Sequence, residues 1–197
     1  DTSYHNEELK SLTRYRFDKV KERAKLKSSV SRLVCILFPK SEKLMPQLHI
    51  VSVYALLSEF PSAHAVASVH LSRLTNLLYE SSRGRYSKDT AIMFRNAARN
   101  SISSNMPAKS LELKHTIKLI QKLTSEIAEI ETKIKSIIDE INSPILTIPE
   151  ISYNMGAMII AEIGDFSRFN SADKILAYAG YLHPLTNQGN WIIVIPI

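Results

Sequence analysis

The sequence predicts an all-α protein: two long helices forming a coiled coil with shorter helices between them, followed by a small helix-hairpin-helix-like C-terminal domain. Residues 113–141 keep an apolar heptad repeat, and residues 6–38 contain a second apolar stripe that ends at a proline. Short apolar-periodic segments bounded by Pro, Ser and Gly make up most of the remainder. We expect a coiled-coil and connecting helical region over 1–143 and a small C-terminal domain over 144–197.

The first long helix is predicted to end before Pro39. Its second half has an apolar stripe with spacings of 4, 3 and 4 residues, formed by Leu26, Val30, Leu33 and Leu37. Between residues 10 and 32 the helix carries nine lysines and arginines against two acidic residues. The stripe, extended backwards, would place Arg16, Lys19 and Arg23 on its own face, where a fully buried seam would not tolerate them. Two interpretations stay open: a basic end lying along a phosphate backbone, or a solvated helix with local ion pairs.

Shorter helices are predicted over residues 52–60, 71–79 and 88–101, and Ser62 is predicted to cap the helix after Pro61. The polar loop that precedes the last of these contains an Arg-Gly-Arg sequence, and its glycine would let the backbone approach a phosphate closely. The same pattern is also typical of an ordinary surface loop. With the basic helix, this loop gives the predicted nucleic-acid-binding residues: Arg14, Arg16, Lys19, Arg23, Lys27, Arg83 and Arg85.

The second long helix is predicted to start near Pro107, with Asn105 as its cap, and to end at Asn142-Ser143-Pro144. Its seam consists of Leu113, Ile120, Ile127, Ile134 and Ile141 at heptad position a, and Thr116, Leu123, Ile130 and Ile137 at position d. Such a seam needs a partner helix from the same chain or from another. The entropic cost of ordering the backbone is about as large as the free energy gained by burying the seam side chains, so the helix is not stable alone. Its flanking carboxylates are interpreted as a solvated face: Glu126, Glu129 and Glu131.

After residue 144 the sequence predicts a helix over 155–163 closed by Gly164, and a shorter helix over 171–178. Two short helices joined by a tight turn are typical of helix-hairpin-helix DNA-binding motifs, in which backbone amides of a glycine-containing turn hold a phosphate. Glu150 and Ser152 occupy positions where that motif has glycine, so an amide cradle is not predicted here.

Composition narrows the possible functions. The chain has 197 residues, a net charge of +6 and a pI near 9.4, which favours a polyanionic partner. The single Cys35 excludes a disulfide framework and favours the cytoplasm, and no segment is apolar enough to span a membrane. The histidines have no ligand spacing, so no metal site is predicted. The absence of an initial Met indicates that upstream sequence is missing.

Two regions resemble the insertion-sequence 110, 116 and 902 family of transposases. The first is LTRYRFDKVKERAKLK at residues 12–27, with SRGRY at 82–86 similar to the family's middle region. The second is more specific and comprises LTIPEI at 146–151, AEIGD at 161–165, Arg168-Phe169, Ser171-Ala172 and LAYAG at 176–180.

The resemblance implies a protein of DNA transposition that binds DNA at element ends and targets, is guided by a structured RNA, and acts as a homo-oligomer. We expect that homo-oligomer to form through the coiled coil. In the family, a RuvC-like domain holds divalent metal on four acidic residues, and a serine in the C-terminal domain is the nucleophile. The metal-binding residues would lie before Asp1, so no cofactor is expected in this chain.

The family serine would fall between Gln188 and Gly189, where this sequence has none. A serine recombinase needs that hydroxyl to hold the DNA strand covalently. The apolar tail over 191–197 is either a buried strand or the product of a frameshift. We therefore predict a truncated transposase that binds nucleic acid without a catalytic residue. The alternative is a self-associating coiled-coil interaction protein without catalytic activity.

Overall fold

The computed structural model describes residues 2–41, 43–101, 105–147, 151–164 and 174. Within these residues the regular elements are α1 (Thr2–Leu37), α2 (Val51–Glu59), α3 (Ala63–Ser68), α4 (Leu71–Ser81), α5 (Lys88–Arg99), α6 (Pro107–Ile141) and α7 (Tyr153–Ile163), with short 3-10 turns at Pro39–Ser41 and Pro144–Thr147. The described residues contain no strand, so the predicted all-α class is confirmed.

The helix ends follow local sequence signals. Helix α1 stops two residues before Pro39, and α6 begins at Pro107, whose missing amide hydrogen costs nothing in the first turn. Ser62 caps α3 as predicted, since its Oγ accepts a hydrogen bond from the Ala65 amide at 3.2 Å. The Oγ of Ser152 caps α7 in the same way, from the Met155 amide at 3.3 Å.

The described residues form two compact units. One is drawn from residues 1–18 and 127–197, and the other from residues 19–126. By sequence the first has 7 basic and 12 acidic side chains, a net charge of −5, and we call it the acidic unit. The second has 18 basic and 7 acidic side chains, a net charge of +11, and we call it the basic unit. The predicted domains 1–143 and 144–197 stay a prediction.

The basic unit contains the second half of α1, helices α2 to α5 and the first half of α6. Helix α3 packs against α5, and α4 packs against both α2 and α5. One apolar core joins them, with side chains from every helix of the unit; its fully buried members include Val30, Leu33, Leu37, Leu56, Val66, Leu74, Ala91, Leu113 and Ile117. Each large aliphatic side chain buried here stabilises the unit by about 1.5–3 kcal/mol.

The acidic unit is a small helical package of α7 with parts of α1 and α6. Its core combines Leu9 of α1 with three isoleucines of α6 and with small residues of α7; the buried members are Leu9, Ile130, Ile134, Ile138, Ala157, Ile160 and Ala161. Gly164 ends α7 as predicted, with φ of +69° and its amide bonded to the Ile160 carbonyl at 2.8 Å. That backbone conformation favours glycine.

The seam of α6 differs from the heptad prediction at its end. Predicted members from Leu113 to Ile134 are buried, but Ile137 and Ile141 are only half-buried, whereas Ile138 is fully buried. A straight α-helix has 3.6 residues per turn and drifts by about 20° per heptad from a 3.5-residue repeat. The buried positions follow the straight helix here, and the coiled-coil arrangement stays a prediction.

Several predictions concern residues outside the described part of the chain. They are the helix over 171–178, the apolar tail over 191–197, and the missing serine between Gln188 and Gly189.

Candidate nucleic-acid interface

In the basic unit, two predicted site residues lie between α1 and α6. Lys19 Nζ is 2.8 Å from Oε2 of Glu126, and Arg23 Nη1 donates a hydrogen bond of 3.2 Å to Oγ1 of Thr124. The hydrogen bond from Lys19 lowers the pKa of Glu126. These contacts explain how cationic side chains can lie on the apolar side of α1. A carboxylate and a hydroxyl group of α6 bind them there.

In the acidic unit, the Glu131 side chain of α6 binds side chains of two other helices, α1 and α7. Its Oε1 accepts hydrogen bonds from Arg16 Nε at 2.8 Å and from Asn154 Nδ2 of α7 at 3.2 Å, and Arg16 Nη2 lies 2.6 Å away. The Arg16 and Glu131 side chains are only 26% and 37% exposed. Arg14 is different, since it is 64% exposed and its Nη2 is 3.4 Å from Oε1 of the exposed Glu162.

The solvated-face interpretation is therefore wrong for Glu126 and Glu131, which are half-buried and paired with cations of α1. It is confirmed for Glu129, which is exposed. The sequence placed Arg16, Lys19 and Arg23 on the apolar side of α1 correctly, but it did not identify the groups that bind them.

A second set of cations lies on the opposite side of α1. Lys21, Lys25 and Arg32 are exposed. At about 100° per residue they fall within about 40° of one another around the helix. We call these three residues the α1 stripe. The sequence analysis did not select them as site residues, although their position on the helix, away from the apolar stripe, indicates that they are exposed. The exposed Glu22 is the acidic neighbour of this stripe.

The turn after α4 holds two more of the predicted site residues, Arg83 and Arg85, both exposed. Arg83 has φ of +56° and Gly84 has φ of +81°, so two consecutive residues adopt left-handed backbone. The Gly84 amide donates to the Tyr79 carbonyl at 2.8 Å, and the Arg83 amide donates to the Glu80 carbonyl at 3.2 Å. This pattern is a Schellman closure of α4.

The amides of the turn are consequently not available to hold a phosphate. The Arg85 amide bonds to the Ser82 carbonyl at 3.4 Å, and the Tyr86 amide bonds to Oγ of Ser82 at 2.9 Å. Glycine serves the closure of the helix rather than a backbone cradle. Any phosphate contact here must come from the guanidinium groups of Arg83 and Arg85.

Lys27, the remaining predicted site residue, is half-buried and contributes to a polar cluster that the sequence did not reveal. His49 Nδ1 is 2.8 Å from Oη of Tyr54, and its Nε2 is 3.4 Å from Oγ of Ser31. Burial, and then the charge of Lys27, lowers the pKa of His49. Burial raises the pKa of Tyr54 to about 12. The cluster ties α1 to the segment before α2.

No group of three or more His, Cys, Asp or Glu side chains is placed to hold a metal ion among the residues that the structure describes. Within the same part of the chain, no helix has the length and apolar character that crossing a membrane requires.

Residues 142–189 match a family model described as Transposase IS116/IS110/IS902 family. Comparisons with curated proteins and with solved structures give no match. The matched residues begin where α6 has ended, and they include the Pro144–Thr147 turn and α7. They also include the second and more specific of the two regions in which the sequence resembles this family. The match confirms that residues 142–189 resemble the IS116/IS110/IS902 transposase family, and the resemblance over residues 12–27 and 82–86 stays a prediction.

Proposed function

We propose that this chain serves DNA transposition in the cytoplasm as a nucleic-acid-binding part of a transposase, with the basic unit holding DNA phosphates. The observation that supports this most directly is the charge of +11 on residues 19–126, against −5 on the rest of the chain. A net charge of +6 for the whole chain conceals this concentration.

The α1 stripe is the part of the basic unit best suited to a phosphate backbone. Lys21, Lys25 and Arg32 are exposed on one side of a helix, so a strand can run along them without disturbing the core. Each cation that neutralises a phosphate releases condensed counterions, which makes binding strongly salt-dependent. Lys19 and Arg23 contribute less in this proposal, because their contacts with Glu126 and Thr124 hold both side chains against α6 and the charge of Glu126 offsets that of Lys19.

The finer parts of the proposal come from the family resemblance. A structured guide RNA is proposed as a second partner for the same basic unit, since its backbone presents the same phosphates. Divalent metal is assigned to the family's RuvC-like domain and to no residue of this sequence. Strand joining is not assigned to this chain either, because Gln188 and Gly189 are adjacent where the family has a serine between them.

Homo-oligomerisation is proposed through a surface other than the α6 seam. Ile127 and Ile134 are buried, so the seam is covered inside the chain. Replacing these residues by Asp would unfold the chain before it dispersed an oligomer, and it would not test the coiled-coil scaffold alternative. Light scattering of the intact chain, with and without DNA, is the direct measurement.

The test of DNA binding is the salt dependence of affinity for a random-sequence duplex. On duplex DNA each phosphate contact contributes about −0.9 to the slope of log affinity against log salt. Replacing Lys21, Lys25 and Arg32 together with Ala should therefore reduce the magnitude of the slope by up to about 2.7. The matched control is Lys133→Ala, which removes an exposed lysine from the acidic unit and should leave the slope unchanged.

A slope that stays the same in the triple variant, with helicity preserved, would refute the α1 stripe as the DNA-binding surface. Affinity that does not depend on salt in the unmodified chain would refute the proposed function itself. In that case the self-associating interaction protein becomes the better hypothesis.

A further inference from the structure

The side chain of Tyr79 lies against Gly84, the residue between the two arginines of the turn after α4. It is 57% exposed although it is a large aromatic group. A Cβ built on Gly84 would lie 3.5 Å from its Cε2, Cζ and Oη atoms. The tip of the phenol ring thus rests against Gly84, and the closure of α4 fixes Gly84 through its hydrogen bond to the Tyr79 carbonyl.

This arrangement holds the ring in place without covering it. The helix end supports one part of the ring, while more than half of the side chain remains in contact with solvent. Arg83 and Arg85 flank Gly84 in sequence and are exposed. Neither pairs with Glu80, Asp89 or another carboxylate among the described residues, so both guanidinium groups can meet an anion.

An exposed aromatic ring with cations beside it matches the chemistry of an unpaired nucleotide. Bases stack on aromatic side chains whatever their sequence, because every base has a π-face. The adjacent phosphates then meet the guanidinium groups. A paired base inside a duplex offers no free face for stacking, so stacking on an exposed ring favours single-stranded over double-stranded nucleic acid.

We propose that Tyr79, Arg83 and Arg85 form a binding site for an unpaired nucleotide, in which Tyr79 stacks on the base and the arginines hold its phosphates. This inference rests on the proposed nucleic-acid function and specifies which form of nucleic acid the α4–α5 turn binds. The unpaired strand comes either from opened DNA or from a loop of a structured RNA, because both present the same base and phosphate groups.

The experiment compares three oligonucleotides of about ten residues, within the site sizes common for single-strand binders. They are oligothymidine, oligouridine and an abasic oligonucleotide that keeps the phosphates but lacks bases. Fluorescence anisotropy at one fixed salt concentration gives the three affinities. Stacking of one base should make the thymidine or uridine probe bind about 5- to 100-fold tighter than the abasic probe.

Variants then separate stacking from charge. Tyr79→Ala should remove the preference for base-containing probes, whereas Tyr79→Phe should keep it. Arg85→Gln should weaken all three probes by the same factor. Tyr4→Ala is the matched control, since Tyr4 is an exposed tyrosine of the acidic unit, 63% exposed, and should change nothing. Circular dichroism confirms that each variant keeps its helices.

The outcomes distinguish this site from the broader function. If Tyr79→Ala keeps the base preference, or if the unmodified chain shows none, the nucleotide site is refuted while duplex binding through the α1 stripe stands. If the unmodified chain binds neither duplex nor single strands, the proposed function fails together with the site. Because thymine carries a methyl group that uracil lacks, oligodeoxyuridine is compared with oligouridine, and a preference for one of these two identifies DNA or RNA as the source of the strand.

Discussion

The hydrogen bonds around Glu131 allow a quantitative test of how the acidic unit is held together. Arg16 donates from Nε and places Nη2 close to the same carboxylate oxygen, with both side chains largely shielded from solvent. Hydrogen bonds to charged groups contribute about 1.5–3 kcal/mol, and partial exposure of Glu131 reduces this. We expect a coupling free energy of about 1–2 kcal/mol between Arg16 and Glu131. The pair Arg14 and Glu162 is a built-in comparison, for which exposure and a longer distance reduce the coupling to roughly 0.3 kcal/mol.

The assay is a double-mutant cycle for each pair, measured by urea unfolding. The variants are Arg16→Gln, Glu131→Gln and their combination, and then Arg14→Gln, Glu162→Gln and their combination. Added salt should abolish the weaker coupling and leave most of the stronger one, because exposed charges are screened more than shielded ones. Equal coupling in the two cycles would refute the argument that Arg16 is a structural residue and Arg14 a solvated one.

Three further predictions follow from single side chains. Lys19→Gln should lower stability at neutral pH, because the Lys19 hydrogen bond lowers the pKa of Glu126 only in the folded state. This stabilisation is fully present above the ordinary glutamate pKa and disappears as pH falls through the lowered value, so unfolding curves of both proteins should converge in acid; a constant gap would contradict the assignment. Arg83→Gly should raise the unfolding free energy by about 0.5–1 kcal/mol, because φ of +56° is strained for arginine, and thermal unfolding should show no gain for Arg83→Ala. Lys27→Met should raise the pKa of His49 without restoring its ordinary value, since burial is the larger cause, and an NMR titration with an unchanged imidazole pKa would refute the effect.

Local signals allowed most helix ends to be predicted from the sequence. Pro39, Pro107 and Gly164 act through their own backbone geometry, and Ser62 caps its helix with a side chain three residues from its partner. None of these depends on distant parts of the chain. The burial of Ile138 instead of Ile137 could not be predicted from local signals. A heptad repeat assumes 3.5 residues per turn, whereas the straight helix has 3.6.

The candidate site was only partly predictable for a related reason. Counting charges along α1 identifies a basic helix, but it does not say which cations meet carboxylates of α6. Arg16 and Lys19 do so, whereas Lys25 and Arg32 remain exposed. In the turn after α4, the sequence identified Arg83 and Arg85 but left the role of Gly84 open. The Gly84 amide donates to the Tyr79 carbonyl and so ends α4. A sequence pattern of five residues does not reveal that hydrogen bond.

Because α1 uses cations for two purposes, a block substitution along it would give an ambiguous result. Replacing Arg14, Arg16, Lys19 and Arg23 together would leave Glu131 and Glu126 without their partners in partly buried positions. Removing one partner of such a pair lowers the free energy of unfolding by more than the intact pair contributes to it, because the remaining charge stays desolvated. A loss of DNA binding would then follow from a weakened fold as readily as from a lost interface. Substitutions confined to the α1 stripe leave these hydrogen bonds intact, so along α1 they separate the contribution of surface charge to binding from the stability of the fold.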